Sequence, residues 1–143
     1  MGEWTPRSSI RTTTIGIRIP ARLDQLTMLR ALAETLSLIA DFALDEVTDI
    51  RLALDEVATS LIMIAVPGSI LDCEYTYDDR RMSVRVRSIA STDAMVDQAG
   101  FGWHVVRTLT VSLAAVQAPL DPVAGGYPTT VDFSWVRGVA DGG

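Results

Sequence analysis

The chain has 143 residues, of which 48% are hydrophobic and 21% charged, and this composition predicts one globular domain with a buried core. Its net charge is −6, and all 12 basic residues are arginine. General nucleic-acid binding needs a basic surface, and a P-loop needs a lysine, so composition argues against the first and excludes the second. We therefore expect a partner with a basic face and no direct contact with nucleic acid.

The sequence shows neither a membrane-spanning segment nor a secretory signal, and it has too few cysteines for a disulfide. No apolar run approaches the roughly 20 residues that a membrane-spanning helix needs, and residues 1–11 lack the apolar block of a secretory signal. The single cysteine, Cys73, excludes an internal disulfide and a thiolate metal cluster. We expect a cytoplasmic protein that does not cross a membrane.

Hydrophobic periodicity divides the chain into eight elements between a flexible tail at 1–11 and a second tail at 137–143. In chain order, we predict a strand at 13–19, helices at 23–40 and 44–65, strands at 71–77 and 82–87, a loop at 88–99, a short helix at 102–109, and strands at 112–117 and 129–135. This order predicts an α+β domain over 12–136, with a mixed sheet and helices on one face.

The second helix carries two rows of side chains at three-and-four spacing. The first row predicts a core-facing stripe and contains Val47, Ile50, Leu54, Val57, Leu61 and Ile64. The second row contains Leu52, Glu56, Ser60 and Met63, and its apolar ends predict that it is covered too. On this interpretation Glu56 and Ser60 line a cleft; spacing alone leaves open the commoner alternative of a solvated glutamate.

The segment from Leu52 to Ile62 resembles the helix box of the GHKL (histidine-kinase-like) ATPases, in the version found in RsbW-type anti-sigma factors that are also serine kinases. The resemblance implies a Bergerat two-layer sandwich, with Glu56 as general base and Ser60 at the position that holds magnesium. Residues 100–109 resemble the second glycine box, which implies that Gly100 and Gly102 offer backbone amides to the phosphates of ATP. Residues 126–133 resemble the closing strand.

Two positions depart from the family pattern. Ser60 replaces the asparagine that binds magnesium, and Ser88 replaces the aspartate that recognises adenine. Losing a charged hydrogen bond costs about 1.5–3 kcal/mol, which is roughly tenfold to a hundredfold in affinity. The departures therefore predict a degenerate nucleotide site, with MgATP held weakly or no cofactor at all.

The resemblance implies a regulator that sequesters an RNA polymerase sigma factor and is antagonised by an anti-anti-sigma (STAS-domain) partner. A homodimer is expected because family members commonly dimerise. The alternative is an active serine kinase that phosphorylates the antagonist, with Glu56 as base and Ser60 as an adequate magnesium ligand. A third interpretation is a GHKL-like domain of another signalling pathway.

Several other residues have simpler interpretations. We expect His104 to pack at the start of a helix, Cys73 to be a buried inert thiol, and Trp103 and Trp135 to belong to the core. Three arginines on the polar side of one hairpin form a basic stripe that is either a solvated sheet face or a docking site for an acidic partner, namely Arg81, Arg85 and Arg87.

Overall fold

The computed structural model describes residues 12–94 and 101–138. Three helices and five strands follow the predicted order: β1 (Thr13–Pro20), α1 (Leu26–Ile39), α2 (Leu44–Met63), β2 (Ile70–Tyr77), β3 (Arg81–Ala90), α3 (Phe101–Leu109), β4 (Ser112–Gln117) and β5 (Tyr127–Val136). The tail predicted at 1–11, part of the predicted loop, Gly100 and most of the second tail lie outside the described residues.

The five strands form one sheet in the order β1-β2-β3-β5-β4. All four of these strand pairings are antiparallel, so the predicted mixed sheet is wrong. A parallel pair needs a crossover between adjacent strands. Here β3 and β4 are joined through α3, but β5 lies between them and pairs with both.

The helices cover one face of the sheet, and the core lies between the two layers. Alternate residues of β2 and β3 are buried toward the helices, among them Cys73, Tyr75, Val84 and Val86. The opposite face carries polar and charged side chains that alternate with the buried ones. The α+β class and the two-layer arrangement with helices on one face are therefore confirmed. Among the described residues, no helix combines the length and apolarity needed to cross a membrane.

The core-facing stripe of α2 is confirmed from Val47 to Leu61, whereas Ile64 lies just past the end of the helix and is only half-buried. The prediction for the second row is wrong. Ile50, Val57 and Leu61 are fully buried. The two apolar ends of the second row are instead exposed, with Leu52 at 43% and Met63 at 68%. Only the middle of that row approaches another element, because α3 is nine residues long and crosses only part of α2.

Strand β3 runs three residues further than periodicity predicts, to Ala90. Ser88 is therefore a buried strand residue and not the first residue of a loop. The extension is supported by the chain that leaves α2, because Val66 N–H donates to Ile89 O and Ser91 N–H donates to Ile64 O, both at 2.8 Å. These pairings complete the hydrogen bonds of β3 beyond its predicted end.

Candidate functional site

Helix α2 presents Glu56 and Ser60 one turn apart, and both side chains are half-buried. The start of the helix is capped by the side chain of Glu46, whose Oε1 accepts a hydrogen bond from Ala43 N–H at 2.8 Å. The Ser60 hydroxyl donates to the Glu56 backbone carbonyl at 2.8 Å. This bond ties the hydroxyl to the preceding turn of its own helix, so Ser60 is held against α2 and does not reach out as an asparagine amide would.

Glu56 lies against the first turn of α3. A Cβ placed on Gly102 would collide with Glu56 Oε1 and stand 3.5 Å from its Cδ. Glycine is thus the residue that lets the backbone of α3 approach the carboxylate this closely. The structure brings together the helix box and the second residue of the glycine box; Gly100, the first, lies outside the described residues.

Ser88 lies in the sheet layer, on the face that the helices cover. It pairs with Thr129 of β5, and both residues are buried, at 3% and 1% exposure. Thr129 donates to Tyr127 O at 3.0 Å and accepts from Gln117 Nε2 at 3.0 Å. The Ser88 hydroxyl has no hydrogen-bond partner among the described residues. These three side chains form an uncharged polar cluster at one end of the sheet.

Gly126 closes this end of the sheet. A Cβ on Gly126 would stand 2.5 Å from Ala90 O, 2.7 Å from Ile89 Cγ2 and 2.9 Å from Val66 Cγ2. The turn before β5 therefore seats directly on the end of β3 and on the segment that leaves α2. This close seating explains why a glycine begins the closing strand.

The described residues lack two of the side-chain groups that the family pattern supplies for MgATP. The adenine position offers the hydroxyl of Ser88, whose oxygen has almost no accessible surface, in place of a carboxylate. The magnesium position offers Ser60, whose hydroxyl donates its proton to the helix backbone, in place of an asparagine amide oxygen. Within residues 12–94 and 101–138, no group of three or more His, Cys, Asp or Glu side chains could hold a metal ion.

Of the four other residues with a predicted role, three are buried and one is exposed. Trp103 and Trp135 are buried in the core, as predicted. Cys73 is buried too, and burial raises the pKa of its thiol to about 12, which makes it inert at neutral pH. His104, however, is exposed on α3, so the predicted packing role is wrong. Its side chain points away from the sheet because the apolar stripe of α3 uses neighbouring positions such as Trp103 and Val106.

The three arginines of the predicted basic stripe lie on the open face of the sheet, and two of them, Arg85 and Arg87, face acidic residues. Arg85 pairs with Asp132 at 2.7 Å and faces Glu74 in the β2–β3 register. Arg87 faces Asp72 in the same register, and Asp72 in turn lies 3.7 Å from Arg18. Acidic neighbours thus offset most of the stripe, which favours a solvated sheet face.

Sequence reasoning missed Gln117 and Thr129 as polar partners and Gly126 as a packing residue. Thr129 was visible only as part of the closing-strand motif. Its contact with Ser88 depends on the β3–β5 register, and that of Gln117 on the β4–β5 register. Neither register can be read from a local pattern, because these strands are brought together by the fold of the whole sheet.

No protein-family model matches the chain. Two curated proteins do match, both named anti-sigma-F factor RsbW, from the CDC 1551 and H37Rv strains of Mycobacterium tuberculosis. Each is 36% identical over 97 residues, which cover 66% of this chain and 56% of the relative. The chain thus matches a little over half the length of these relatives. The resemblance predicted from the helix box is confirmed: over the matched residues, this chain is related to the RsbW-type anti-sigma factors.

Proposed function

We propose that this protein is an anti-sigma factor that binds and sequesters an RNA polymerase sigma factor in the cytoplasm, and that a STAS-domain antagonist releases it. The observation that carries the proposal is the 36% identity to proteins named anti-sigma-F factor. The fold supports it, because the Glu56–Gly102 contact brings the segment that resembles the helix box beside the segment that resembles the glycine box.

A binding role is favoured over catalysis by the state of the nucleotide positions. Ser88 is an uncharged hydroxyl closed in between sheet and helices, and the Ser60 hydroxyl is bonded to its own helix. Both positions lack the side-chain groups that the family pattern supplies for MgATP, which supports a binding role over catalysis. On this proposal, the fold serves as a scaffold for partner binding.

The surface that we propose for sigma-factor contact and for dimer formation is formed by α1 and β1. Helix α1 exposes Met28, Leu38 and Ile39, at 53%, 46% and 61%. Strand β1 is at the edge of the sheet and leaves one side of its backbone without a strand partner in the described part of the chain. Exposed apolar side chains and a free strand edge are each typical of protein-binding surfaces.

The direct test is calorimetric titration of the purified protein with each alternative sigma factor of its source organism. We expect one tight complex, which Leu38→Asp weakens about tenfold or more because an apolar contact is replaced by a charge. Val123→Asp is the matched control, because Val123 is 96% exposed on the β4–β5 loop, away from α1. Failure of every sigma factor to bind would overturn the proposal and favour another signalling pathway.

The second candidate function is a serine kinase, and the contact between Glu56 and Gly102 favours it, because it keeps the proposed base beside the glycine box. Titration with ATP and ADP, with and without magnesium, separates the two functions. We expect no binding up to millimolar nucleotide, and gain of binding in the double variant Ser60→Asn, Ser88→Asp. Magnesium-dependent micromolar binding by the unaltered chain, lost in Ser60→Ala, would establish the nucleotide site instead.

A further inference from the structure

A cavity of about 340 Å³ lies on the open face of the sheet, at the end where Gly126 seats on β3. We call it the Arg87 cavity; the residues around it include Arg18, Ile70, Asp72, Arg87, Ile89 and Pro128. Ser88 and Thr129 also border it, but their side chains are buried and turn toward the helices. The cavity is therefore separate from the predicted nucleotide positions.

One wall of the cavity is the turn between β4 and β5, which contributes Ala124. The hydrogen bonds of Asp121 fix this turn. Its Oδ1 accepts from the backbone N–H groups of Val123 and Ala124, at 2.9 and 3.3 Å. Its own N–H donates to Gly126 O at 2.8 Å, and Gly126 is seated on the end of β3. The wall is thus held in place before any ligand arrives, which lowers the cost of binding.

A row of three charged side chains on neighbouring strands crosses the floor of the cavity. Arg18 faces Asp72, and Asp72 faces Arg87, in the β1–β2 and β2–β3 registers. The carboxylate of Asp72 lies 3.7 Å from Arg18 Nε, whereas Arg87 forms no ion pair with any other described residue. One carboxylate thus faces two guanidinium groups, and the row keeps an excess of positive charge in a chain whose net charge is −6.

Beside this charge the cavity offers a hydroxyl group and an apolar surface. Thr130 faces Arg87 in the β3–β5 register, so its hydroxyl lies on the same face next to the arginine side chain. Ile70, Ile89 and Pro128 lie two residues from the charged row on their strands, on the same face, and line the cavity with apolar groups. This combination suits a ligand that carries both a negative charge and an apolar part.

We propose that the Arg87 cavity binds a small carboxylate with an apolar body, of the kind represented by short-chain fatty acids. The carboxylate accepts hydrogen bonds from the Arg87 guanidinium and the Thr130 hydroxyl, and the apolar body lies against Ile89 and Pro128. Asp72 disfavours a second negative charge on the ligand. The volume of the cavity lies within the range of roughly 300–1,000 Å³ that small-molecule sites occupy. The inference does not depend on the anti-sigma proposal.

The test uses hexanoate as the probe. Hexanamide is the control of the same length without charge, and hexanedioate is the control with a second charge in place of the apolar end. Binding is followed at constant ionic strength by the backbone amide signals of Ala124 and Thr130 in the NMR spectrum of the ¹⁵N-labelled protein. We expect hexanoate to shift both signals saturably and each control to bind about tenfold or more weakly, because each lacks one of the two interactions. The amide of Leu36, which is buried in α1, serves as the internal reference.

Arg87→Gln is expected to lower the affinity for hexanoate about tenfold, because a charged hydrogen bond is lost. Arg85→Gln is the matched control: it removes the same charge from the same face of β3, but from a residue that pairs with Asp132. It should leave the affinity within about twofold of that of the unaltered chain. Both arginines are exposed, so both variants should fold.

Three results would overturn the proposal: hexanamide binding as well as hexanoate, Arg85→Gln weakening the binding as much as Arg87→Gln, or no saturable shift at tens of millimolar hexanoate. A fourth is tighter binding of the peptide acetyl-Ala-Glu-Ala-amide than of hexanoate. In that case the cavity would be a docking site for an acidic segment of a protein partner and not a site for a small carboxylate.

Discussion

The two ends of the sheet use their polar residues in opposite ways. At the Ser88 end, Gly126 seats tightly on β3, and the polar cluster is uncharged and closed in. At the Trp135 end, a cavity remains open beside Asp49, whose charge is not paired within the described residues. The Ser88 end thus keeps the close backbone packing around the predicted nucleotide site without the charged side chain that the family pattern places there. Close packing preserves the backbone geometry at the Ser88 end, whereas the Trp135 end leaves a half-buried carboxylate beside an open cavity.

The largest effect that should separate the two ends is that of Gly126→Ala. The added Cβ meets the backbone oxygen of Ala90 as well as two methyl groups, and backbone cannot move aside cheaply. We expect a loss of about 3 kcal/mol in the free energy of unfolding, at the upper end of overpacking costs. Denaturant unfolding measures this difference.

Gly125→Ala is the control for that variant, because Gly125 has a positive φ of 80° but open space around it. Backbone strain alone should cost about 1 kcal/mol there. Equal effects of the two substitutions would show that close seating on β3 is not what requires glycine at 126.

Ser88→Ala tests whether the buried hydroxyl at the Ser88 end of the sheet lowers the stability of the protein. The variant removes a buried hydroxyl that has no partner among the described residues, so we expect the free energy of unfolding to rise by about 1 kcal/mol. Ser91→Ala is the comparison, because the exposed Ser91 hydroxyl donates to Ile64 O at 3.1 Å and its removal should be slightly destabilising. A loss of stability in Ser88→Ala would mean that the hydroxyl has a favourable contact in solution.

Asp49→Asn tests the charge at the open end, with a smaller effect. Burial, together with the carboxylates of Asp45 and Glu46, raises the folded-state pKa of Asp49 above its ordinary value of 3.8. Its favourable contribution is therefore present below that pH and is lost as the pH rises. The variant should therefore be about 0.5 kcal/mol more stable at pH 7, with the gain vanishing as the medium is acidified below pH 4.

The matched control lies six residues further along the same helix. Asp55 pairs with Arg30 at 2.7 Å, so Asp55→Asn should be slightly destabilising at neutral pH. Thermal unfolding of both variants at pH 7 and pH 3 gives the comparison. The same sign for the two variants at pH 7 would contradict an unpaired charge at Asp49.

Elements with a strong hydrophobic periodicity were predictable from the sequence. Residues whose environment depends on strand pairing or helix crossing were not. The stripe of α2 follows from spacing alone, and β4 was predicted with its observed bounds. The extension of β3 to Ala90 was missed because Ile89 and Ser91 bond to the chain leaving α2, which is more than twenty residues earlier in sequence. The exposure of Leu52 and Met63 was missed because it depends on where the short helix α3 crosses α2.

The sequence by itself determined the order of elements, the core-facing stripe of α2 and the resemblance carried by the helix and glycine boxes, because these depend on local period and residue type. Tertiary structure alone decided that Glu56 meets Gly102, that Ser88 is closed in beside Thr129, and that Asp49 and Trp135 share a cavity. These contacts join residues far apart in the chain. Their geometry is set by strand register and helix crossing, which no local pattern encodes.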